Sequence, residues 1–468
     1  MRPEDLAGAL IGLLEWAHRN APRPEAPVLR RLREHVGQDP ADLPIVSRAL
    51  AAWDRPNFQV AIDAWSAGRE VEVVGLPVME GYRAGLAELV RGTQWGPTLE
   101  VGAVEYVTVP LGEHESIACV ESGFWLARGD EGPLVVMLRS SEPGMGESLA
   151  VEILAAEREV AEGVLSELLA LMRERNVYRG RILELASRHF HGDEAAPLTV
   201  RTLPRIPRER IVLSPGVLER IERQAIGMAA HAERLRASGR HLRRGLLLHG
   251  PPGTGKTLTA MYLAGRMEGR TVVMLTGQSL GAVGASIDLA TALEPAMVVL
   301  EDVDLVAMDR TFQPTNAILF ELLNGMDGLD EDHDILFVLT TNRAEHLEPA
   351  LAARPGRVDQ AVELALPDAD GRRRLLELYG EGLDLRLSGE EPLIAALEGS
   401  SPAFIRELLR RAALLAAEEH ADGPLRVRAG HLEQALAELR QVGSDLTSTL
   451  LGAAPPGPDP ASEPDLED

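Results

Sequence analysis

Of the 47 Lys and Arg residues in this chain, a single one, Lys256, is lysine. It sits in Gly250-Pro251-Pro252-Gly253-Thr254-Gly255-Lys256-Thr257, a GxxxxGK[ST] run, with Leu258 opening a helical stretch. These residue types suit phosphate chemistry. Small residues let backbone N–H groups close around phosphate oxygens, and a following helix N-terminus adds positive potential. Lysine carries a compact charge that reaches β- and γ-phosphates, where the planar fork of arginine is the poorer fit. Thr257 is placed to hold Mg²⁺. Downstream, Met297-Val-Val-Leu-Glu301-Asp302-Val-Asp304 is an apolar run ending in carboxylates, a Walker B arrangement. One carboxylate can order Mg²⁺ and the other can polarise an attacking water. A third apolar run ends at Asn342, an uncharged amide able to position that water and report phosphate loss.

Such groups converge only if strands deliver them to one edge. Apolar runs at 245–249, 271–275, 297–301, 335–340 and 361–364 alternate with helical stretches, the signature of a parallel α/β sheet. Residues 371–442 read as helices alone, and 204–210 read as a linker. Before it, 1–67 read as short helices, including 6–14 and 28–36. Short β-prone runs follow at 71–74, 101–109, 117–120 and 134–138, and then a long amphipathic helix over 147–175. The expected divisions are an α+β domain over 1–203, an α/β nucleotide-binding part over 204–370, a helical lid over 371–444 and a disordered tail over 445–468. The tail carries six acids, five prolines and no base.

The order of motifs resembles the AAA branch of the AAA+ ATPases over about residues 205–440. Leu322-Leu-Asn-Gly-Met-Asp-Gly-Leu329 is similar to that family's LLxxMDG stretch. Thr341-Asn342-Arg343 followed by Arg354-Pro355-Gly356-Arg357 is similar to its second region of homology. The resemblance implies a P-loop NTPase fold with a C-terminal helical lid, ATP and Mg²⁺ as cofactors, and ATP hydrolysis. It implies nucleotide contact by residues 250–258, Mg²⁺ at Thr257 and Glu301, and water activation at Asp302. It also implies a ring, usually of six, in which Arg354 and Arg357 reach a neighbour's ATP; intramolecular salt bridges are the alternative for that pair. Residues 211–213 would line the adenine site. Ser401-Pro402-Ala-Phe-Ile stands where the family has Ser-Gly-Ala-Asp-Ile.

Two departures matter. The acid pair is Glu301-Asp302 rather than Asp-Glu, an order shared with the mitochondrial inner-membrane AAA translocase that moves a folded iron–sulfur protein. Peptide-threading members carry an aromatic in the loop after the second strand, whereas residues 277–284 hold none. Leu280 or Val283 could make a weaker apolar contact there, and Met308 and Phe312 lie in a second loop that could face a pore.

Composition narrows the classes further. One cysteine, Cys119, excludes an internal disulfide and fits a reducing cytosol. A net charge of −25 argues against charge-driven binding of duplex nucleic acid, and hence against a DNA-handling member. No run of about eighteen apolar residues suggests a membrane span. Glu4 and Asp5 precede the first apolar run, unlike a secretory signal. A cytoplasmic location is expected. There is no HExxH for a self-contained protease, and the closing Asp-Leu-Glu-Asp lacks the hydrophobic-Tyr-any ending of proteasome-docking partners. The reading is an ATPase that remodels or translocates a protein recognised through the N-terminal domain. The rival is an ATP-gated assembly switch that threads nothing.

Overall fold

The computed structural model describes residues 26–76, 85–91, 102–140, 148–185, 198–276, 282–304, 322, 324–326, 332–344, 358–386, 391–419 and 425–441. The helix expected over 6–14 and the tail over 445–468 lie outside these residues. The chain divides into two units, Met1–Pro110 with Glu115–Val177, and Leu111–His114 with Tyr178–Asp468.

The first unit is α+β. Its five-stranded antiparallel sheet runs β1 (Ile45–Ala51), β7 (Ser148–Leu154), β6 (Gly132–Ser140), β5 (Gly123–Gly129), β2 (Glu70–Gly75). A separate hairpin pairs β3 (Tyr106–Pro110) with β4 (Ser116–Val120). Continuous apolar runs in the central strands β5 and β6 let both sheet faces be covered. Trp125, Leu134, Val136, Leu138, Val151 and Ile153 pack under helices α2 (Arg55–Ser66) and α4 (Arg158–Glu174), against Phe58, Ile62, Trp65, Val164 and Leu168. The intervening Phe124, Leu126, Val135 and Met137 meet Val28, Leu32, Leu86 and Leu89 of α1 (Pro27–Val36) and α3 (Leu86–Arg91). Phe58 and Trp125 meet edge to face at 5.5 Å, a contact worth about 0.5–1.5 kcal/mol beyond its buried area.

Three expectations for this unit are corrected. The long helix starts at Arg158, because 148–154 forms the strand between β1 and β6. Leu149, Val151 and Ile153 alternate, as a strand requires, and all belong to one core. The polar Glu152 that disguised the pattern is buried, ion-paired to Arg139 at 2.7 Å and accepting from Leu86 N at the start of α3 at 2.6 Å. Second, 45–51 is an edge strand rather than helix. Third, β5 was not expected; its Trp125 and Ala127 on one face and Phe124 and Leu126 on the other read as a continuous apolar run.

The second unit holds a seven-stranded sheet in the order β14 (Gln360–Glu363), β10 (Arg244–His249), β13 (Ile335–Thr341), β12 (Ala296–Leu300), β11 (Thr271–Leu275), β8 (Ile182–Leu185), β9 (Leu198–Arg201). All neighbours are parallel except β8 and β9. The five strands read from sequence are present within a residue or two of the expected ends. The inner strands β11, β12 and β13 are buried along their whole length, as coverage of both faces demands, whereas edge strand β14 buries only Val362. Strands β8 and β9 move the division. It falls at Val177/Tyr178 rather than 203/204, because Leu183 and Leu198 are buried on the nucleotide sheet's side of the chain. The expected linker at 204–210 also packs. Ile206 and Leu203 sit against the core, and Arg208 grips Glu222 through Nε and a second nitrogen, both at 2.9 Å.

Helices α6 (Lys256–Arg266) and α7 (Val283–Ala292) are joined to this sheet; α5 (Val217–Glu222) covers it near the chain's entry. The lid is α8 (Ala369–Tyr379), α9 (Glu391–Ala396), α10 (Pro402–Glu419) and α11 (Ala429–Gln441) around a core of Leu375, Ile405, Leu408, Leu432 and Leu436. It is not helical only: β15 (Asp384–Arg386) and β16 (Arg426–Arg428) form a small parallel pair, with Val427 buried in the lid core.

Candidate nucleotide site

The glycine-rich loop leaves the C-terminal end of β10, between β13 and β14. Its conformation explains its composition. Gly250, Gly253 and Gly255 have φ of 139°, 77° and 96°, values that side-chain-bearing residues seldom adopt. A Cβ on Gly250 would also lie 2.4 Å from the Leu364 carbonyl oxygen. Thr254 is buried and its hydroxyl donates to the Pro251 carbonyl at 2.9 Å, which closes the turn. Gly255 caps α6, so Lys256 and Thr257 stand in its first turn.

Lys256 is 6% exposed, and its Nζ donates to the carbonyls of Gly250 and Pro251, both at 2.8 Å. Burial lowers its pKa to about 8, against the opposing pull of Asp302 and Asp304. The Thr257 hydroxyl favours the charged form of the Glu301 carboxylate, against burial. Burial, and then the neighbouring Asp302 charge, push the Glu301 carboxyl up. Its Oε1 is buried and has no hydrogen-bond partner. A buried carboxylate oxygen left open beside a threonine hydroxyl, at a helix N-terminus next to a lysine, fits a hard divalent cation with its phosphate ligand.

Asp302 is where the chain turns off β12, with φ of 50°, the one non-glycine with positive φ among the described residues. The turn is held from β13: Asp302 N donates to Thr340 Oγ1, and Val303 N to Thr340 O, each at 3.0 Å. Asn342 Nδ2 donates to Asp302 Oδ1 at 3.2 Å. Asp304, 3% exposed, accepts from Thr341 Oγ1 at 2.9 Å and from Asn342 N at 3.2 Å. Burial and the Asp304 charge raise the Asp302 carboxyl, against Lys256 and Asn342. In the sequence Asp304 is simply the last acid of the run. Its burial and its grip on the Asn342 loop show a positioning part that spacing alone did not reveal.

The lid reaches the loop directly. Ala403 N donates to Gly253 O at 3.2 Å, and a Cβ on Gly253 would lie 2.8 Å from Ser401 Oγ. Pro402 occupies the first turn of α10, where its missing N–H costs nothing, and Ser401 Oγ accepts from Phe404 N at 3.1 Å. The Pro-for-Gly departure therefore leaves the lid contact in place. Ile211 is buried in the sheet core while Val212 packs on the lid core, so 211–213 run between the two. Lys256, Thr257, Glu301, Asp302 and Asn342 are thus brought together. Arg354, Arg357, Leu280, Met308 and Phe312 lie outside the described residues.

Comparison with known proteins agrees with this geometry. Residues 246–366 match the model of the family described as "ATPase family associated with various cellular activities (AAA)". The chain is 36% identical over 202 residues to ATP-dependent zinc metalloprotease FtsH 4 of Sphaerobacter thermophilus, covering 39% of this chain and 30% of that protein. It is 31% identical over 194 residues to the proteasome-activating nucleotidase of Methanothermobacter thermautotrophicus, covering 38% and 47%. It is 35% identical over 188 residues to that of Methanoregula boonei, covering 37% and 43%. The chain therefore spans less than half the length of each of these relatives. Among the described residues, no helix is long and apolar enough to cross a membrane, and no group of three or more His, Cys, Asp and Glu could hold a metal ion. Residues 246–366 of the second unit thus match the AAA ATPase family, whose usual nucleotide cofactor is ATP with Mg²⁺.

Proposed function

We propose that this chain hydrolyses ATP at the site built on β10, β12 and β13 and spends the energy on remodelling a protein. The carrying observation is the bonding of Asn342 to Asp302 and of Lys256 to the loop carbonyls at one sheet edge, beside the open carboxylate oxygen of Glu301. Residues 250–258 hold the phosphates through backbone N–H groups and the Lys256 charge. Thr257 and Glu301 hold the cation, which neutralises phosphate charge when bound. Asp302, fixed by Thr340 and Asn342, takes the proton of the attacking water. Asn342 keeps the Asp302 carboxylate oriented and senses the γ-phosphate. Arg354 and Arg357 complete the site of a neighbouring subunit in a ring, probed below.

A protein as substrate is supported by the relatives, which are named as a metalloprotease and as activators of the proteasome. The unassigned N-terminal unit recognises it, and the site of action is the cytoplasm. The absence of an aromatic from residues 277–284 favours a second reading, an ATP-gated assembly switch. ATP-driven unfolding of a tagged reporter protein separates the two. Unfolding that is lost in Lys256→Ala supports remodelling. Nucleotide-dependent assembly without unfolding supports the switch.

A further inference from the structure

The two strands that extend the nucleotide sheet carry chemistry to it. β8 pairs with β11 in the register Val272↔Ile182, Val273↔Leu183, Met274↔Glu184. β11 pairs with β12 as Leu275↔Leu300, and Glu301 N continues the ladder onto Leu275 O at 3.0 Å. Lateral neighbours in a parallel sheet point to the same face, about 4.8 Å apart. Glu184, Met274, Thr276 and Glu301 therefore share one face. It is the face under α6, since Met274 and Val299 pack there with Ala260 and Leu263. The row is bonded as well as aligned. Thr276 Oγ1 donates to Glu184 Oε1 at 3.3 Å, and Arg201 Nε of β9 donates to Glu184 Oε2 at 2.5 Å. Thr276 is the residue beside Glu301 on the adjacent strand, and Glu301 presents the open carboxylate oxygen and the Thr257 contact.

We propose that Glu184 is a positioning residue of the nucleotide site: anchored by Arg201, it fixes the Thr276 hydroxyl beside Glu301 and adds a negative charge to the ground that the divalent cation meets. This rests on the ATP–Mg²⁺ reading of the site. Glu184 lies on the same sheet face as Glu301, with the Thr276 hydroxyl bonded to it in between. The β8–β9 extension thereby becomes an input to the metal side of the site and not merely an edge of the sheet. A structural role alone would lower stability without changing the demand for metal.

The test uses the full chain, a fluorescent ATP analogue and a Mg²⁺ titration. Glu184→Gln keeps shape and removes the charge. Its half-saturating Mg²⁺ for analogue fluorescence is expected to rise about tenfold, the size of effect that outer partners of metal ligands show. Its affinity for the analogue in EDTA stays at the parent value, and Glu184→Asp, which keeps the charge, stays within about twofold of the parent. A Glu184→Gln titration that superimposes on the parent's overturns the proposal, as does an equal shift in Glu184→Asp. Should Glu184→Gln fail to fold, Thr276→Val carries the test: the same direction of shift is expected, and an unshifted curve overturns the proposal. Lys256→Ala separates the two failures. Parental analogue binding in Lys256→Ala sinks the ATP reading itself, whereas lost binding there with an unshifted Glu184→Gln sinks only the role of Glu184.

Discussion

At the residue scale, the site assigns different work to each charged group by its surroundings. Glu301 is buried against Thr257 with one oxygen open, while Asp302 is oriented by Asn342. The Glu-Asp order is thus accommodated by the αL turn at Asp302, which sends the second carboxylate toward Asn342. Aspartate and asparagine are the non-glycine residues that tolerate this conformation best, so Asp302→Asn changes the chemistry and spares the turn. Lys256 gives a pH signature. Its pKa is depressed to about 8 in the free protein, and bound phosphates raise it again. Below about 8 the lysine is already charged, and binding takes up no proton. Above about 8, binding must take up a proton, and ATP affinity is expected to fall by up to about tenfold per pH unit. Calorimetry in buffers of different ionisation enthalpy reads the uptake. Lys256→Arg, whose guanidinium does not titrate there, should lose this dependence. Loop, acid pair and amide were all legible from residue type and spacing. The grip of Asp304 on Thr341 was not, because a buried acceptor and a solvated acid look alike in a sequence.

At the element scale, the loop is clamped between strand β14 and the lid helix α10. Gly253→Ala would set a methyl at positive φ against Ser401 and Ala403. A cost of about 1–3 kcal/mol is expected, seen as a lower melting temperature and a weaker grip on nucleotide, since the lid must retreat. The opposite ends of the strands are tied by a buried cluster. Asp334 before β13 bonds Arg244 at 3.1 Å and Arg270 at 2.8 Å, all nearly inaccessible. Burial alone would raise the Asp334 carboxyl, but the two arginines outweigh it and hold it below the usual range. Asp334→Ala should cost about 3–5 kcal/mol in denaturant unfolding, because it strands two buried cations. The inner strands β11, β12 and β13 of the nucleotide sheet are readable because each is buried along its length. Strand β7 was not, because its buried Glu152 mimicked the polar face of a helix. Strands β8 and β9 are not legible in the sequence because four-residue strands carry little pattern, and only the pairing of β8 with β11 and of β9 with β8 shows where they belong.

At the scale of the whole molecule, the central question is how many chains make one working site. Arg354 and Arg357 are expected to act across a subunit boundary, and arginines supplied in this way are worth roughly 10³–10⁵ in rate. Arg354→Ala with Arg357→Ala should therefore bind ATP like the parent and turn it over poorly. Mixing that variant with Lys256→Ala should restore part of the turnover, since each supplies what the other lacks. No recovery on mixing, with both variants assembled by native mass spectrometry, would return the arginines to roles within one chain. The nucleotide unit could be placed from sequence because its chemistry restricts residue types. The N-terminal unit could be placed only as α+β, because packing two sheet faces constrains hydrophobicity and not identity. The role of Asp302 in hydrolysis is read from ATP binding and steady-state turnover of purified full-length Asp302→Asn beside the parent. Binding within about threefold of the parent, with turnover lowered by about 10²–10⁴, is the predicted result. Parental turnover in Asp302→Asn would contradict it.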